Sequence, residues 1–336
     1  MIFIKFQEGQ GLGNQLWLYC SGLSIAEKLG QSFQVLNYEN FKAKDFLEIK
    51  KSNKNSLDLK SDKDFLNNEN KNKAKIKTFH ERLYYDHNLK YISSHFDERV
   101  TSIKKDVLLE GLFQSEKYFF NDLLKLKKYI KLSNNSIANN PVDPDVCVMN
   151  IRGGEYKRHK DLVLKKEYWL KAMKNFLNYG KVNKFIIVTD DYRYCKKLFP
   201  DLEIISNSIE KCYSTIYNCS NIIISNSSFA YFPCKTGVQK KVIAPKFWAR
   251  HYQENLWSSP CNIYEGWEWQ SKDGEISTYK DCLPIVQKSI EYYEKNFIYL
   301  VHKESIPKSS PVYFLPKRLK KVIKLLLSYI FPTHFG

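Results

Sequence analysis

An α/β fold built on parallel sheets is the architecture this sequence predicts, on three observations. The chain opens as strand, glycine turn, helix, strand. Between residues 146 and 245 short β-rich runs alternate with helical stretches. Three of those runs end in polar residues, the pattern of strands that feed a ligand crevice.

The elements follow in order. Ile2 to Phe6 is a short β-rich run, and Gly9-Gln10-Gly11-Leu12-Gly13-Asn14-Gln15 is a glycine-rich turn. Apolar residues at 16, 19, 20, 23, 26 and 29 keep a helical period that stops at Gly30. Phe33 to Tyr38 is the next strand. Residues 42–77, with eleven lysines and few large apolar side chains, read as an exposed insertion. Val107 to Leu112 reads as a strand and Leu123 to Leu132 as a helix; residues 133–144, rich in Asn, Ser and Pro, read as an interdomain linker. Beyond it, strands are predicted at 146–151, 185–188, 202–205, 222–224 and 242–243, with helices at 166–177, 192–199 and 209–219 between them.

Composition narrows the class. Of 336 residues, 43% are hydrophobic and 44 are Tyr or Phe, enough for a sizeable core and too much for disorder or a fibrous protein. The net charge is +17, which invites anionic partners, but only seven of the 53 basic residues are arginine. Base readers and phosphate clamps favour arginine, so the lysine excess reads as a solvated surface and no nucleic-acid partner is expected. The eight cysteines form no CxxC pair and no zinc spacing, and several lie inside apolar runs, as buried thiols do. No run of 18 apolar residues is present, and Met1 to Phe6 is too short an apolar run for a signal peptide, so a cytoplasmic location is expected.

The candidate site residues stand at strand ends: Arg152 with Glu155, Asp190 with Asp191, and Asn226 with Ser227 and Ser228. Arg152 follows a buried-type strand and precedes Gly153-Gly154. Two glycines let a bulky anion approach the backbone and free its amides as donors, so Arg152 is expected on a pyrophosphate. Trp248, Trp257, Trp267 and Trp269, with Tyr252 and Tyr264, suit either stacking on a sugar ring or packing a domain interface; packing is the expected role. The N-terminal glycines, with Glu39 after the next strand, partly imitate a dinucleotide fingerprint, though Asn14 stands where the third glycine belongs. That leaves a nicotinamide oxidoreductase as the alternative of a different class.

Six segments carry a resemblance. Gly11-Leu12-Gly13-Asn14-Gln15-Leu16 resembles the N-terminal Gly-Gly-Leu-Gly-Asn-Gln motif of glycosyltransferase family 11, the alpha-1,2-fucosyltransferases. Glu110 to Phe119 is similar to that family's Gly-Tyr-Phe-Gln-Ser-Glu-Lys-Tyr-Phe segment. Asn150-Ile151-Arg152-Gly153-Gly154-Glu155-Tyr156 sits where the family has His-x-Arg-Arg-Gly-Asp-Tyr. Thr189-Asp190-Asp191, Asn226 to Phe232 and Val242 to Trp248 resemble its later motifs, in the same order. The chain departs from the pattern at Gln10, Asn150, Gly153 and Glu155, and the departures beside Arg152 leave nucleotide and sugar preference open.

The resemblance implies a GT-B-like α/β fold, two Rossmann-like domains facing across a cleft. Residues 1–140 would form an N-terminal, acceptor-side domain carrying the insertion. Residues 141–270 would bind the donor nucleotide, and 271–336 would form a C-terminal helical segment. It also implies inverting, metal-independent transfer from a GDP-sugar, typically GDP-fucose, to a glycan or lipid-linked glycan acceptor, with no cofactor. Arg152 and Glu155 are then the expected catalytic residues. Gly11, Gly13, Asn14, Gln15, Asn150, Asp190, Asp191, Asn226, Ser227 and Ser228 are expected to bind the donor. Residues 316–331 place Leu319, Val322, Ile323, Leu326 and Ile330 on one helical face, with Lys317, Lys320, Lys321 and Lys324 flanking the other. That is the make-up of an interfacial helix, and peripheral contact with anionic membrane on the inner face is expected there, the alternative being a helix that packs its apolar face back onto the protein.

Overall fold

The structure, a computed structural model, describes residues 1–52, 76–86, 89, 91–158, 162–253, 255–296 and 299–300. Its first sheet contains β1 (Ile2–Lys5), β2 (Phe33–Leu36), β4 (Lys77–His80) and β7 (Val107–Glu110), all parallel, in the order β2-β1-β7-β4. Alternation sorts the side chains. Ile2, Ile4, Phe33, Val35, Val107 and Leu109 face the main core, while Phe3, Leu36 and Leu108 cluster on the opposite face. Helix α1 (Leu12–Lys28) packs on the core face and ends where expected. Gly30, at φ +62°, lets its own amide reach Glu27 O and the Gln31 amide reach Ala26 O. The helix starts at Leu12 rather than Leu16, so Gly13 and Asn14 lie in its first turn. Its residues from Gln15 to Ala26 are all buried, so no apolar stripe marks the start.

The second sheet runs β11-β10-β9-β12-β13-β14-β15, with only β15 (Ile276–Ser277) antiparallel. β9 (Val146–Ile151), β10 (Lys184–Thr189), β11 (Glu203–Ile205), β12 (Asn221–Ile224) and β13 (Lys241–Pro245) reproduce a doubly wound order, with a topological switch between β9 and β12. β14 is Glu268–Gln270. On one face, Cys147, Met149, Ile151, Ile187, Ile223 and Ile243 meet Tyr168, Trp169, Ala172 and Phe176 of a helix at Lys166–Asn178. On the other, Val146, Val148, Ile186, Val188, Ile222 and Ile224 join the main core beneath helices at Ile209–Asn218 and Tyr231–Thr236. Strands β9 to β13 and the helices at Lys166–Asn178, Tyr192–Leu198 and Ile209–Asn218 lie within two residues of their predicted places; β14, β15 and the helix at Tyr231–Thr236 are absent from the sequence reading.

Other parts differ from the sequence reading. Residues 42–52, expected within an exposed insertion, are docked: Ala43, Phe46 and Leu47 are buried, and β3 (Leu47–Glu48) pairs with β8 (Lys131–Leu132). The predicted helix at 123–132 shortens to Lys125–Tyr129 before β8. The expected linker at 133–144 holds a helix at Asn134–Ala138 tied to the second lobe. Ser136 donates to Glu210 Oε1 at 2.5 Å, and Asn218 Nδ2 donates to Ile137 O and Asn140 O at 2.8 and 2.7 Å. A third, antiparallel sheet, absent from the sequence reading, joins β5 (Leu83–Asp86), β6 (Tyr91–Ser94) and β16 (Tyr299–Leu300). It is fastened by a buried ion pair between Asp86 and Arg250, which Tyr293 joins through its hydroxyl at 2.9 Å. Tyr293 lies on a helix at Tyr279–Asn296, within the segment expected to be helical. Among the described residues no helix is long and apolar enough to cross a membrane; the segment 316–331 lies outside them.

Both lobes share one core. Trp17 of α1 is fully buried and stacks on Tyr231 at 4.3 Å and Phe119 at 5.6 Å, with Phe232 edge-on and Tyr264 at 6.4 Å. Trp248, Trp257, Trp267 and Trp269 are buried in the same core, the packing role expected of them. Trp17→Ala should therefore cost about 3–5 kcal/mol and lower the stability of both lobes in a single transition. Chemical denaturation followed by tryptophan fluorescence and by far-UV circular dichroism checks this; two separate transitions would contradict a shared core.

Candidate active site

Ligands of doubly wound sheets lie beyond the carboxyl ends of the strands at the switch point. Here that point lies between β9 and β12, and the residues found there are Asn150, Arg152, Ser225 and Asn226. The Ser225 amide donates to Asn150 O at 3.1 Å, which sets the two strand ends side by side. Around this junction buried polar atoms lack partners among the described residues: Asn150 Oδ1, Arg152 Nε, Ser225 Oγ and both amide atoms of Asn226. Each such atom costs about 1–3 kcal/mol when left unmatched. A cluster of them mixing donors and acceptors is a surface shaped for a polar ligand.

The loop after β9 is held by the loop after β10. The Gly153 amide donates to Asp190 Oδ1 at 2.9 Å and the Gly154 amide to Asp191 Oδ2 at 3.2 Å. These amides, expected to be free for an anion, are thus engaged by carboxylates. A Cβ at Gly153 would lie 2.6 Å from Asp191 Cβ, so this chain admits no larger residue where the resembling family has its second arginine. Asp191 also caps the helix at Tyr192–Leu198 through the Tyr194 amide at 3.0 Å and pairs with Lys157. Burial works to raise the Asp191 carboxyl, but Lys157 and the Tyr194 and Gly154 amides outweigh it and hold it below the usual carboxylate range.

Arg152 is about one-fifth exposed; its Nη2 lies 3.3 Å from Asp190 Oδ2 and its guanidinium sits over the Tyr156 ring at 5.1 Å. Tyr156 reaches across the switch point to donate to Asn226 O at 3.3 Å, and burial raises its hydroxyl pKa. Asp190, rather than Glu155, is therefore the partner of Arg152. Glu155 is exposed, with no hydrogen bond or ion pair among the described residues.

The first lobe closes the site from the other side. A Cβ at Gly13 would lie 2.5 Å from the Ser228 backbone, so only glycine lets α1 approach this closely. Asn14 Oδ1 accepts from Gln114 Nε2 and from Ser228 Oγ, both at 2.9 Å, which joins the two lobes by side chains. Ser227 Oγ accepts from the Phe229 amide. Gly11 caps α1 with open space around it. Gln15 belongs elsewhere: its amide bonds Asn40 O at 2.8 Å and the Lys42 amide at 3.0 Å, so it fastens a loop of the first lobe. The residue-by-residue reading passed over Gln114 and Lys157; the signals were the position of Gln114 in a resembling motif and a lysine beside Glu155. Among the described residues no group of three or more His, Cys, Asp or Glu side chains is arranged to hold a metal ion.

The fold and this strand-end site are those of an α/β protein with a polar ligand crevice at its switch point. The sequence profile of glycosyl transferase family 11 matches residues 29–254. The chain belongs to that family, and its activity is that of a glycosyltransferase, which sets aside the nicotinamide reading of the N-terminal glycines. No curated relative matches it. Among solved structures it is similar to the fucosyltransferase NodZ from Bradyrhizobium, with 14% identity, 69% of this chain and 91% of that chain covered, and a TM-score of 0.37. It is also similar to POFUT1 in its apo form, with 10% identity, 72% and 97% covered, and a TM-score of 0.40.

Asp191→Asn should keep the helix cap, since Asn caps well, but lose the charge pairing with Lys157. Because the folded-state pKa of Asp191 is depressed, its stabilisation is present above the usual value of 3.8 and is lost as pH falls through the lower folded value. The gap in melting temperature between wild type and Asp191→Asn should accordingly be full at pH 7 and close as the pH is taken below 3.8. A gap that stays constant across that range would show that the charge does not hold the loop.

Proposed function

We propose that this glycosyltransferase moves a sugar from a GDP-sugar, with GDP-fucose as the donor, to a hydroxyl of a glycan or lipid-linked glycan acceptor, with inversion and without a metal. Its place is in building a surface polysaccharide or lipopolysaccharide. The observation that carries the reading is the cluster of unpaired buried polar atoms around Arg152 at the β9–β12 switch point. Family membership supports the reaction class. The division at about residue 140 into acceptor-side and donor-side units of a GT-B arrangement belongs to the same reading, as does a cytoplasmic protein that touches the inner membrane face.

In the proposed reaction the acceptor oxygen bonds to the anomeric carbon as the bond from that carbon to the phosphate oxygen breaks. The electron pair leaves with the nucleoside diphosphate. Arg152 meets the growing charge with its fork, the ligand taking the place that Asp190 now holds at 3.3 Å. Asn226 and Ser225 supply hydrogen bonds, and Asn150 Oδ1 accepts one from the ligand. Asp191 is committed to two backbone amides and Lys157, and Asp190 stays on the Gly153 amide when the ligand takes its place at Arg152, so Glu155, exposed and unpaired among the described residues, is the carboxylate assigned to take the acceptor proton.

A second reading keeps the reaction and changes the sugar. Asn150 and Gly153 stand where the resembling family has histidine and arginine, so a GDP-sugar other than GDP-fucose is the alternative. Differential scanning fluorimetry against GDP, UDP, ADP and their sugars tests both, because a ligand at 100 times its Kd stabilises by about 2.7 kcal/mol. A melting shift with GDP and, among the sugar nucleotides, with GDP-fucose supports the first reading, a shift with GDP and a different GDP-sugar the second, and a shift with UDP- or ADP-compounds only would overturn both.

Arg152→Lys keeps the charge and loses the fork. It should fold with an unchanged melting temperature and lose transfer by a factor equivalent to about 3–4 kcal/mol. Wild-type turnover by this variant at saturating donor would remove Arg152 from the reaction. Activity should also persist in excess EDTA; loss in chelator restored by Mn²⁺ would contradict the metal-independent reading.

A further inference from the structure

Glu81 follows β4 at the carboxyl edge of the first sheet and is almost wholly buried. Its Oε2 accepts from the Leu112 and Phe113 amides at 2.6 and 2.7 Å, and its Oε1 from the Tyr118 hydroxyl at 2.8 Å and Ser94 Oγ at 3.3 Å. Burial drives the Glu81 carboxyl up to about 7, against the pull of the Phe113 amide, the Tyr118 hydroxyl and the Leu112 amide. Its packing is tight as well, since a Cβ at Gly111 would lie 2.4 Å from Glu81 Cβ.

The turn held by this carboxylate is unusual. Phe113 sits at φ +50°, a conformation that costs a non-glycine residue free energy, and its amide is one of the two that Glu81 binds. Ser21 Oγ fixes the same residue from the other side by donating to Phe113 O at 3.0 Å. The next residue is Gln114, whose Nε2 donates to Asn14 Oδ1. Ser228 Oγ donates to that same oxygen. Two donors on Oδ1 fix the rotation of the Asn14 amide and leave its Nδ2 without a partner among the described residues, beside the Ser228 loop that borders the switch point.

We propose that Glu81 is a positioning residue for the donor site: it holds the Leu112–Phe113 turn so that Gln114 orients Asn14, and the Asn14 amide nitrogen donates to the bound nucleoside diphosphate. The proposal rests on the reading of the switch-point site as a GDP-sugar site. Glu81 touches neither donor nor acceptor and acts through Phe113, Gln114 and Asn14 in turn.

Binding of GDP to the full chain by isothermal titration calorimetry tests it, with Gln114→Leu, Glu81→Leu and the double variant. Gln114→Leu removes the hydrogen bond at constant volume and should weaken GDP about tenfold, the worth of one hydrogen bond to a charged group. Glu81→Leu should weaken it to the same degree, and the double variant no further, because both act along one chain of contacts. In turnover the loss should appear in donor KM with kcat retained. Unchanged affinity in Gln114→Leu, or additive losses in the double variant, would overturn the proposal. If Glu81→Leu does not melt cooperatively, Glu81→Gln carries the test, since its carbonyl still serves the two amides. It should bind GDP more tightly than Gln114→Leu and add nothing to that variant, and an additive loss would again overturn the proposal. Wild-type protein that fails to bind GDP defeats the GDP-sugar reading itself, whereas wild-type binding indifferent to these substitutions defeats only the role of Glu81.

Discussion

Trp17 belongs to the first lobe by sequence and to both lobes by contact. An indole with no exposed surface, flanked by Phe119 and by Tyr231 and Tyr264, removes one of the largest apolar side chains in the protein from water only while the lobes stay together. The site depends on this. Gly13 and Asn14 reach Ser228 because α1 is pinned, and Asn14 and Trp17 lie about one turn apart on the same helix. Without that anchor the relation between the carboxyl edges of the two sheets would rest on the remaining cross-lobe contacts, such as Ser136 with Glu210 and Asn218 with Ile137 and Asn140.

The electrostatics are arranged as a chain of holders. Lys157 and two amides hold Asp191, Asp190 takes the Gly153 amide, and Asp190 and the Tyr156 ring hold Arg152. The loop that carries the arginine is therefore fixed by its neighbour and not by its own sequence. Its glycines serve this contact: at Gly153 the approach of Asp191 leaves no room for a side chain.

The alternation of strands and helices from 146 to 245 was legible because strands such as β9 and β10 are apolar runs bounded by polar residues, and helices such as Ile209–Asn218 have one apolar face. The candidate cluster was legible for the same reason: polar residues at the ends of buried strands stand out. What the sequence concealed was partnership. Nothing in Gly153-Gly154 says that its amides face two aspartates, and nothing in Gln15 says that its amide is consumed by Asn40 and Lys42. The β5–β6–β16 sheet was hidden because its members are short and because β16 meets β5 across more than 200 residues of chain. The docking of 133–144 was hidden because a Ser that bonds a neighbouring helix looks like a Ser that bonds water, and because the segment's other ties are backbone carbonyls that accept from Asn218.

The pairing of Arg152 with Asp190 has a bearing on selectivity in a cell full of phosphate. A guanidinium with no counterion attracts any small anion that drifts past. One already matched by a carboxylate at 3.3 Å offers a lone monoanion little beyond what it has, because the newcomer must displace a tethered competitor. In the proposed reaction, a ligand that brings two linked phosphates and a sugar, and engages Asn226 and Ser225 at the same time, would displace Asp190 through the sum of its contacts. Under the proposed donor reading, the resident carboxylate would act as a built-in competitor that screens out free phosphate while leaving the arginine open to a larger, multiply anchored molecule.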